Sequence, residues 1–137
     1  MSAWGPQPFQ NHGAGDFEAE LVHGAPGDIT LLRRTLQATA TASYIESDLG
    51  GAAVAAAALV AWLAGAKQVE VPQRVLAWQA AGSPRGVRPL VPLALQALDA
   101  VTANADRSEL CDLWQATDDF NTWQNSVSAL REALQKV

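Results

Sequence analysis

Apolar residues recur at every third or fourth position along most of this chain, which is the spacing of one face of an α-helix. The clearest such face follows Asp28, and another follows Thr117-Asp118 near the C-terminus. The apolar positions are Ile29, Leu32, Leu36 and Ala40 in the first face, and Phe120, Trp123, Val127, Leu130 and Leu134 in the second. No alternation of apolar and polar residues is long enough for a sheet. The pattern therefore predicts an all-α protein.

Capping residues and helix breakers divide the sequence into about six or seven predicted helices, packed as one compact bundle over residues 1–137. Residues 1–12, rich in Gly, Pro, Gln and Asn, are predicted to form an irregular arm docked on the bundle. The predicted helices are 14–22 (capped by Asn11 or by Gly15-Asp16), Asp28 to about Tyr44, 49–64, one from Pro72, one opened by Pro92, one capped by Asp106 or Ser108, and one from Thr117.

The segment 49–66 holds eighteen consecutive uncharged residues, a length at the threshold for a membrane span. Alanine and glycine dominate it, and these residues contribute little transfer free energy. We therefore expect a helix that is apolar nearly all round and buried at the centre of the bundle. Gly65 follows its last turn, where glycine is common.

Charge and cysteine content narrow the classes of partner and compartment. The net charge of −5 and the absence of a basic run argue against binding to nucleic acid or to an anionic membrane surface. A basic protein partner fits this charge better. The single cysteine, Cys111, cannot form an internal disulfide, and the N-terminus lacks the pattern of a signal peptide. We therefore expect a cytoplasmic protein.

Motifs with a defined chemistry are missing from the sequence. It has no glycine-rich phosphate loop, no H-E-x-x-H and no Cys-x-x-Cys. His12 and His23 are separated by a predicted helix, so they are poor candidates for one metal site. No residue close to Cys111 in the sequence is of the kind that activates a nucleophilic thiol, so we interpret Cys111 as an inert, partly buried thiol. The sequence thus predicts no catalytic residue, no metal and no cofactor.

The acidic residues near two helix starts form the main candidate site. Asp16 lies near the start of the first helix, and Glu46 and Asp48 precede the third. If these helix starts meet, the three carboxylates and Tyr44 share one acidic patch that suits acid–base chemistry or a hard cation. The structural alternative is that Asp16 and Asp48 favour helix N-termini and that Glu46 is solvated.

Two further groups have both a structural and a functional interpretation. Most of the five tryptophans lie on apolar helix faces, so core packing is the default. Arg85 and Arg88 are close to Trp78-Gln79 in sequence and form a candidate anion site. A solvated surface loop is the simpler interpretation of that segment.

The N-terminal residues resemble a known family. Trp4-Gly5, Phe9, Asn11, Ala14 and Asp16-Phe17 match the pattern W-G-x-x-x-F-x-N-x-x-A-x-D-[FW]. This resembles the opening of the bacterial family called domain of unknown function 4259. Later features are similar too, namely Ala42 to Glu46 with Asp48, Glu109-Leu110, Leu113-Trp114, Trp123 and Leu130. The resemblance implies a small, helical, cytoplasmic bacterial protein, and it supplies no activity or catalytic residue.

The motif also has a structural interpretation. Trp4 and Phe9 pin the arm to the bundle, Gly5 permits a turn, Asn11 caps the first helix, and Asp16 pairs with its amides or with Tyr44. The chain departs from the family pattern at Pro6, Pro8, Gln10 and His12. The last two stand where the family often has acids, which makes a cation site at the arm less expected here.

Three functions remain open from the sequence. The first is a non-enzymatic interaction module, such as an immunity- or accessory-type acidic protein that binds a basic toxin or enzyme. The second is a metal-dependent hydrolase or small-molecule binder that uses the acidic patch. The third is a subunit of a larger assembly with a self-complementary apolar surface, for instance on the last helix. The acidic charge and the lack of a catalytic set favour the first.

Overall fold

The structure, a computed structural model, describes residues 3–137 and confirms the all-α prediction. Within these residues lie seven α-helices and one turn of 3-10 helix at Arg88–Leu90. The α-helices are α1 (His12–His23), α2 (Thr30–Thr41), α3 (Ser47–Ala64), α4 (Gln73–Gly82), α5 (Val91–Val101), α6 (Glu109–Gln115) and α7 (Phe120–Lys136). One continuous hydrophobic core draws side chains from all seven.

Helix α3 occupies the centre of the bundle, as its alanine-rich sequence predicts. It packs against α1, α2, α5, α6 and α7. By length and composition it is apolar enough to cross a membrane, but 67% of it is buried inside the fold. Alanine side chains are short, so five helices can approach it closely without leaving voids. The buried-core interpretation of this segment therefore agrees with the packing.

Two glycines allow α1 and α3 to cross at close range. A Cβ atom at Gly13 would collide with the backbone carbonyl of Asp48, and one at Gly51 would collide with the side chain of Asn11. The Asn11 carboxamide oxygen also accepts a hydrogen bond from the Ala14 amide at 2.8 Å and so caps α1. This crossing brings the N-terminal turns of α1 and α3 together.

Several helix ends differ from the predicted ones. Helix α1 begins at His12, directly after its cap, and α3 begins at Ser47, before the predicted start. Helix α2 ends at Thr41, short of Tyr44, because Ala42 is already extended and Ile45 forms a bridge with Ser108, the cap of α6. The last helix begins only at Phe120. Most of its apolar residues, among them Trp123, Val127 and Leu134, are buried in the chain's own core.

Capping also departs in detail from the sequence prediction. Asp28 lies one position outside the α2 cap, yet its carboxylate accepts from both the amide and the hydroxyl of Thr30. Pro72 is the cap of α4 and not its first residue. Ser108 caps α6 through the Cys111 amide, as predicted.

The arm is ordered by its own hydrogen bonds, and it corrects one expectation. The Trp4 amide donates to the Gln10 carbonyl at 3.0 Å, and Ala3 forms an antiparallel bridge with Asn11. Phe9 packs on the core, but Trp4 is 69% exposed and so does not pin the arm. Gly5 has no positive φ; its Cα lies against the end of the Gln10 side chain, which would have to move to make room for a Cβ.

The other tryptophans support the packing interpretation. Trp78, Trp114 and Trp123 are buried, and the last two rings stack with centroids 6.3 Å apart. Trp62 is half-buried, with the Lys67 ammonium 3.7 Å above its ring. Trp4 is therefore the exception, and its exposure requires a different explanation.

Candidate functional site

The structure divides the predicted acidic patch in two. Asp16 and Asp48 line one groove of about 330 Å³ between α1, α2 and α3. Tyr44 and Glu46 do not line it and lie in the link that joins α2 to α3. The four residues therefore do not line one groove, because the link is hydrogen-bonded through Ile45 to Arg107 and Glu109 instead of lying against α1.

The α1–α2–α3 groove combines an apolar surface with charged residues. Phe17, Leu31, Leu49 and Ala52 supply the apolar part. The predicted pairing of Asp16 with Tyr44 or with helix amides is wrong, since its carboxylate lies 3.2 Å from His12 Nε2. Two further charged groups, Glu20 and Arg34, form an exposed ion pair across the groove at 3.2 Å.

Tyr44 lies in a second acidic neighbourhood that the sequence did not predict. Loss of water around the ring, followed by the carboxylates of Glu109, Asp112 and Glu46, raises the pKa of the Tyr44 phenol. The ring is nevertheless 49% exposed. A neutral phenol beside three carboxylates presents both an aromatic face and negative charge to solvent.

The segment 107–109 fixes this neighbourhood by bonding to both sides of the α2–α3 link. The Ile45 amide donates to the Arg107 carbonyl at 2.8 Å, and the Glu109 amide donates to the Ile45 carbonyl at 2.9 Å. The Arg107 side chain donates to the Ala40 and Ala42 carbonyls at the end of α2. Glu109 accepts from the first amide of α3, that of Ser47, at 2.8 Å. The positive charge of Arg107 thus satisfies carbonyls at the C-terminal end of α2, and the negative charge of Glu109 satisfies an amide at the N-terminal end of α3.

A larger groove lies elsewhere and has a volume of about 690 Å³. We call it the arm groove, because residues 7–10 of the arm line it together with residues 68–72 and one stripe of α7. The α7 stripe consists of Ser126, Ala129, Leu130 and Ala133. The Ser126 hydroxyl donates to the Gln7 side chain at 3.3 Å and ties the arm to α7. In the sequence, the only signal for this groove is the short alternation Val69-Glu70-Val71 before Pro72, which indicates an extended segment.

Other candidate residues have structural partners. Arg88 donates to the Ala64 carbonyl at 3.0 Å and so bonds the C-terminal end of α3, which accounts for it without an anion. Cys111 is buried; this burial, with the nearby Asp112 carboxylate, raises the pKa of its thiol. Within residues 3–137, no group of three or more His, Cys, Asp or Glu side chains is placed to hold a metal ion.

Comparisons with known proteins agree with the motif at the N-terminus. Neither curated proteins nor solved structures gave a significant match. The family model described as "Domain of unknown function (DUF4259)" matches residues 2–126, which is most of the chain. The Asn11 cap, the α1–α3 crossing and the α2–α3 link all lie inside that match, and the chain belongs to the DUF4259 family.

Proposed function

We propose that this chain is a non-enzymatic protein-interaction module that binds an extended, basic segment of a partner protein in the arm groove. The observation that carries the proposal is the extended segment beside this groove, where the backbone amides and carbonyls of Glu70 and Val71 have no hydrogen-bond partner within residues 3–137. A small acidic protein of this kind suits an immunity or accessory role.

The side chains that line the arm groove favour a mainly apolar occupant with a positive charge. Pro8, Phe9, Val69 and Val71 give the groove apolar surface. Glu70 is the only ionisable residue that lines it, and this exposed carboxylate makes no ion pair within residues 3–137. With a net charge of −5 for the whole chain, electrostatic complementarity favours a lysine or arginine of the partner opposite Glu70.

The backbone on one side of the arm groove favours an extended occupant. Val69 donates its amide to Ala66, and the Pro72 carbonyl accepts from Val75. Between them, the amides and carbonyls of Glu70 and Val71 make no hydrogen bond within the described residues. A residue before proline is held extended, and Pro72 itself is extended. Open peptide groups on an extended segment are the template for adding a strand.

Trp4 supplies an exposed aromatic beside this groove. Its backbone is held by Gln10, which lines the groove, while its side chain remains 69% exposed. A tryptophan on an ordered segment loses little entropy on binding, and tryptophan is enriched among residues that dominate binding energy. Partner binding gives this exposed side chain a role that core packing does not.

The direct test uses a fluorescent peptide of alternating valine and lysine, measured by anisotropy. We expect saturable binding to the wild type and a loss of about tenfold or more in Glu70→Lys and in Trp4→Ala. Asp106→Lys makes the same charge change at an exposed site outside the groove and serves as the control.

A backbone test separates strand addition from general attraction between charges. N-methylation of every second peptide amide removes donors from one edge of the peptide only. We expect methylation in one register to abolish binding and methylation in the other to be tolerated. Equal effects in both registers, or equal losses in Asp106→Lys and Glu70→Lys, would rule out the proposed mode.

The hydrolase alternative receives no specific support. Its four residues separate into two places, and residues 3–137 hold no cluster of three metal-ligating side chains. The assembly alternative predicted a self-complementary apolar surface, for instance on the last helix, and most apolar residues of that helix lie in the core. For the small-molecule alternative one candidate binding site is left, the groove between α1, α2 and α3.

A further inference from the structure

We infer that the segment bound in the arm groove is a flexible tail or linker of the partner, and not the edge strand of a folded domain. This inference rests on the proposed function and names the kind of partner that it requires. An edge strand has only one free edge, because its other edge is bonded to its own sheet. A tail has both edges free. The surroundings, the length and the polar side chains of the arm groove all favour a tail.

The arm groove surrounds its occupant on more than one side. The occupant pairs with Glu70 and Val71 at one edge, and the arm and α7 line the rest of the groove. The Ser126 hydroxyl donates to the Gln7 side chain at 3.3 Å, so the arm and α7 form one continuous surface. A further strand of a partner sheet would lie about 4.8 Å from the occupant. It would have to enter the space that the arm and α7 already fill.

The arm groove is also too short for a regular edge strand. Its α7 stripe, residues 126–133, is about 10 Å long. An extended chain spans that distance with about three residues, whereas strands of sheets are commonly about 5–6 residues long. The open peptide groups are confined to residues 70–71, because the Val69 amide is bonded within the chain and Pro72 has no amide hydrogen. A flexible segment can bend away at both ends of so short an edge.

The polar side chains of the arm groove suit peptide carbonyls that are not already bonded. Gln7, Gln10 and Gln68 line the groove, and their carboxamide NH₂ groups donate no hydrogen bond within residues 3–137. Such a group donates to a peptide carbonyl whatever the sequence. In an edge strand, the carbonyls on one edge are already bonded to the partner's own sheet, while in a tail they are free. N-methylation leaves carbonyls intact, so these contacts agree with tolerance of methylation in one register.

The charge of the arm groove agrees with a tail as well. Glu70 is its only ionisable residue, so the groove favours a lysine or arginine and offers no cation to an acidic group. Segments rich in basic and polar residues bury too little apolar surface to fold by themselves, and they become ordered when they bind. A basic tail or linker therefore supplies both the charge and the two free edges.

The first experiment compares a single strand with the same strand in a hairpin, by competition with the fluorescent valine–lysine peptide. The competitor holds the valine–lysine strand, an Asn-Gly turn, a second strand and a cysteine at each end, in two registers that leave either edge free. Oxidation closes the hairpin, and the reduced peptide is mostly open, because an isolated hairpin is marginally stable. We expect each reduced peptide to compete about tenfold better than its oxidised form.

The outcomes separate this inference from the proposed function. Equal or better competition by an oxidised hairpin would show that one free edge is enough, which overturns the inference and leaves the proposed function intact. Absence of binding by the linear peptide would overturn the proposed function, and the inference with it.

A second experiment fills the arm groove from the α7 side. Ala129→Leu adds a larger side chain at an exposed helical position that lines the groove, and Ser128→Leu adds the same side chain at an exposed neighbour that does not. We expect Ala129→Leu to lower the affinity of the linear peptide about tenfold and Ser128→Leu to leave it unchanged. Circular dichroism checks that both variants fold. Unchanged affinity in Ala129→Leu, with binding still weakened by Glu70→Lys, would place the occupant away from α7 and overturn the inference alone.

Discussion

The backbone amide of Ser47 donates a hydrogen bond to Glu109 Oε1 at 2.8 Å, across 62 positions of sequence. Ser47 is the first residue of α3, and the side chain at its own cap position, Glu46, makes no capping bond. A carboxylate from another helix therefore supplies the acceptor that the first turn of α3 needs. This bond joins the central helix to α6.

Glu109→Ala is expected to lower the free energy of unfolding by about 1–2 kcal/mol, because it removes a charge-assisted cap. Asp112→Ala is the matched control: it removes the same charge from the same helix without a hydrogen bond, and is expected to cost less than about 0.5 kcal/mol. Urea unfolding followed by circular dichroism measures both. Equal costs would show that the bond to Ser47 contributes nothing.

The glycines of α1 provide a second prediction with an internal control. Gly13→Ala places a methyl group against the Asp48 backbone, and overpacking of this kind costs about 1–3 kcal/mol, more than the roughly 1 kcal/mol that alanine gains as a helix former. Gly15→Ala, on the same helix, meets nothing within 4 Å. We expect it to raise the free energy of unfolding by about 0.5–1 kcal/mol. Stabilisation by both substitutions would contradict the close crossing of α1 and α3.

The helices could be predicted from the sequence because their signals are local. Apolar spacing located α2 and α7, and the alanine-rich run identified α3 as the central helix. The Asn11 and Ser108 caps act on amides only three residues away, so their sequence signatures were readable. The ends of α2 and α3 were placed less well, because contacts with the distant Arg107 and Glu109 determine them.

The candidate site could be predicted only in part, for the same reason. Asp16 and Asp48 share a groove because Gly13 permits a helix crossing, and no spacing rule in the sequence reports a crossing. Tyr44 was grouped with Asp16, whereas its carboxylate neighbours include Glu109 and Asp112, more than sixty positions away along the chain. Trp4 was expected to pin the arm to the bundle; its side chain is exposed because the arm folds back on itself, with the Trp4 amide bonded to Gln10.

Cys111 is expected to resist alkylation in the folded protein. Burial first, and the Asp112 carboxylate second, raise the pKa of its thiol, so the reactive thiolate is disfavoured and access is blocked. Iodoacetamide labelling followed by mass spectrometry should be slow in buffer and fast in urea. Because the folded-state pKa is raised, this thiol's contribution to stability is present below its unfolded pKa and is lost as pH rises through the folded one. Rapid labelling of the native protein would contradict this.

Tyr44 is the only tyrosine in the chain, so its ionisation can be followed directly by absorbance at alkaline pH. The raised pKa of the phenol predicts a titration midpoint above that of the unfolded chain in urea. The folded state keeps the phenol protonated longer, so the stability linked to this group is present below the unfolded pKa and is lost as pH rises through the folded one.

Two variants and a salt titration separate the causes of the shift at Tyr44. Glu109→Gln and Asp112→Asn each remove one carboxylate and should lower the midpoint toward the ordinary value, while Asp106→Asn should leave it unchanged. High salt should lower the wild-type midpoint in the same direction, since it screens charges at an exposed ring. A residual shift in the double variant would measure the loss of water around the ring together with the remaining Glu46 carboxylate. A wild-type midpoint equal to that of the unfolded chain would place Tyr44 away from these carboxylates and would contradict the packing of the α2–α3 link on α6.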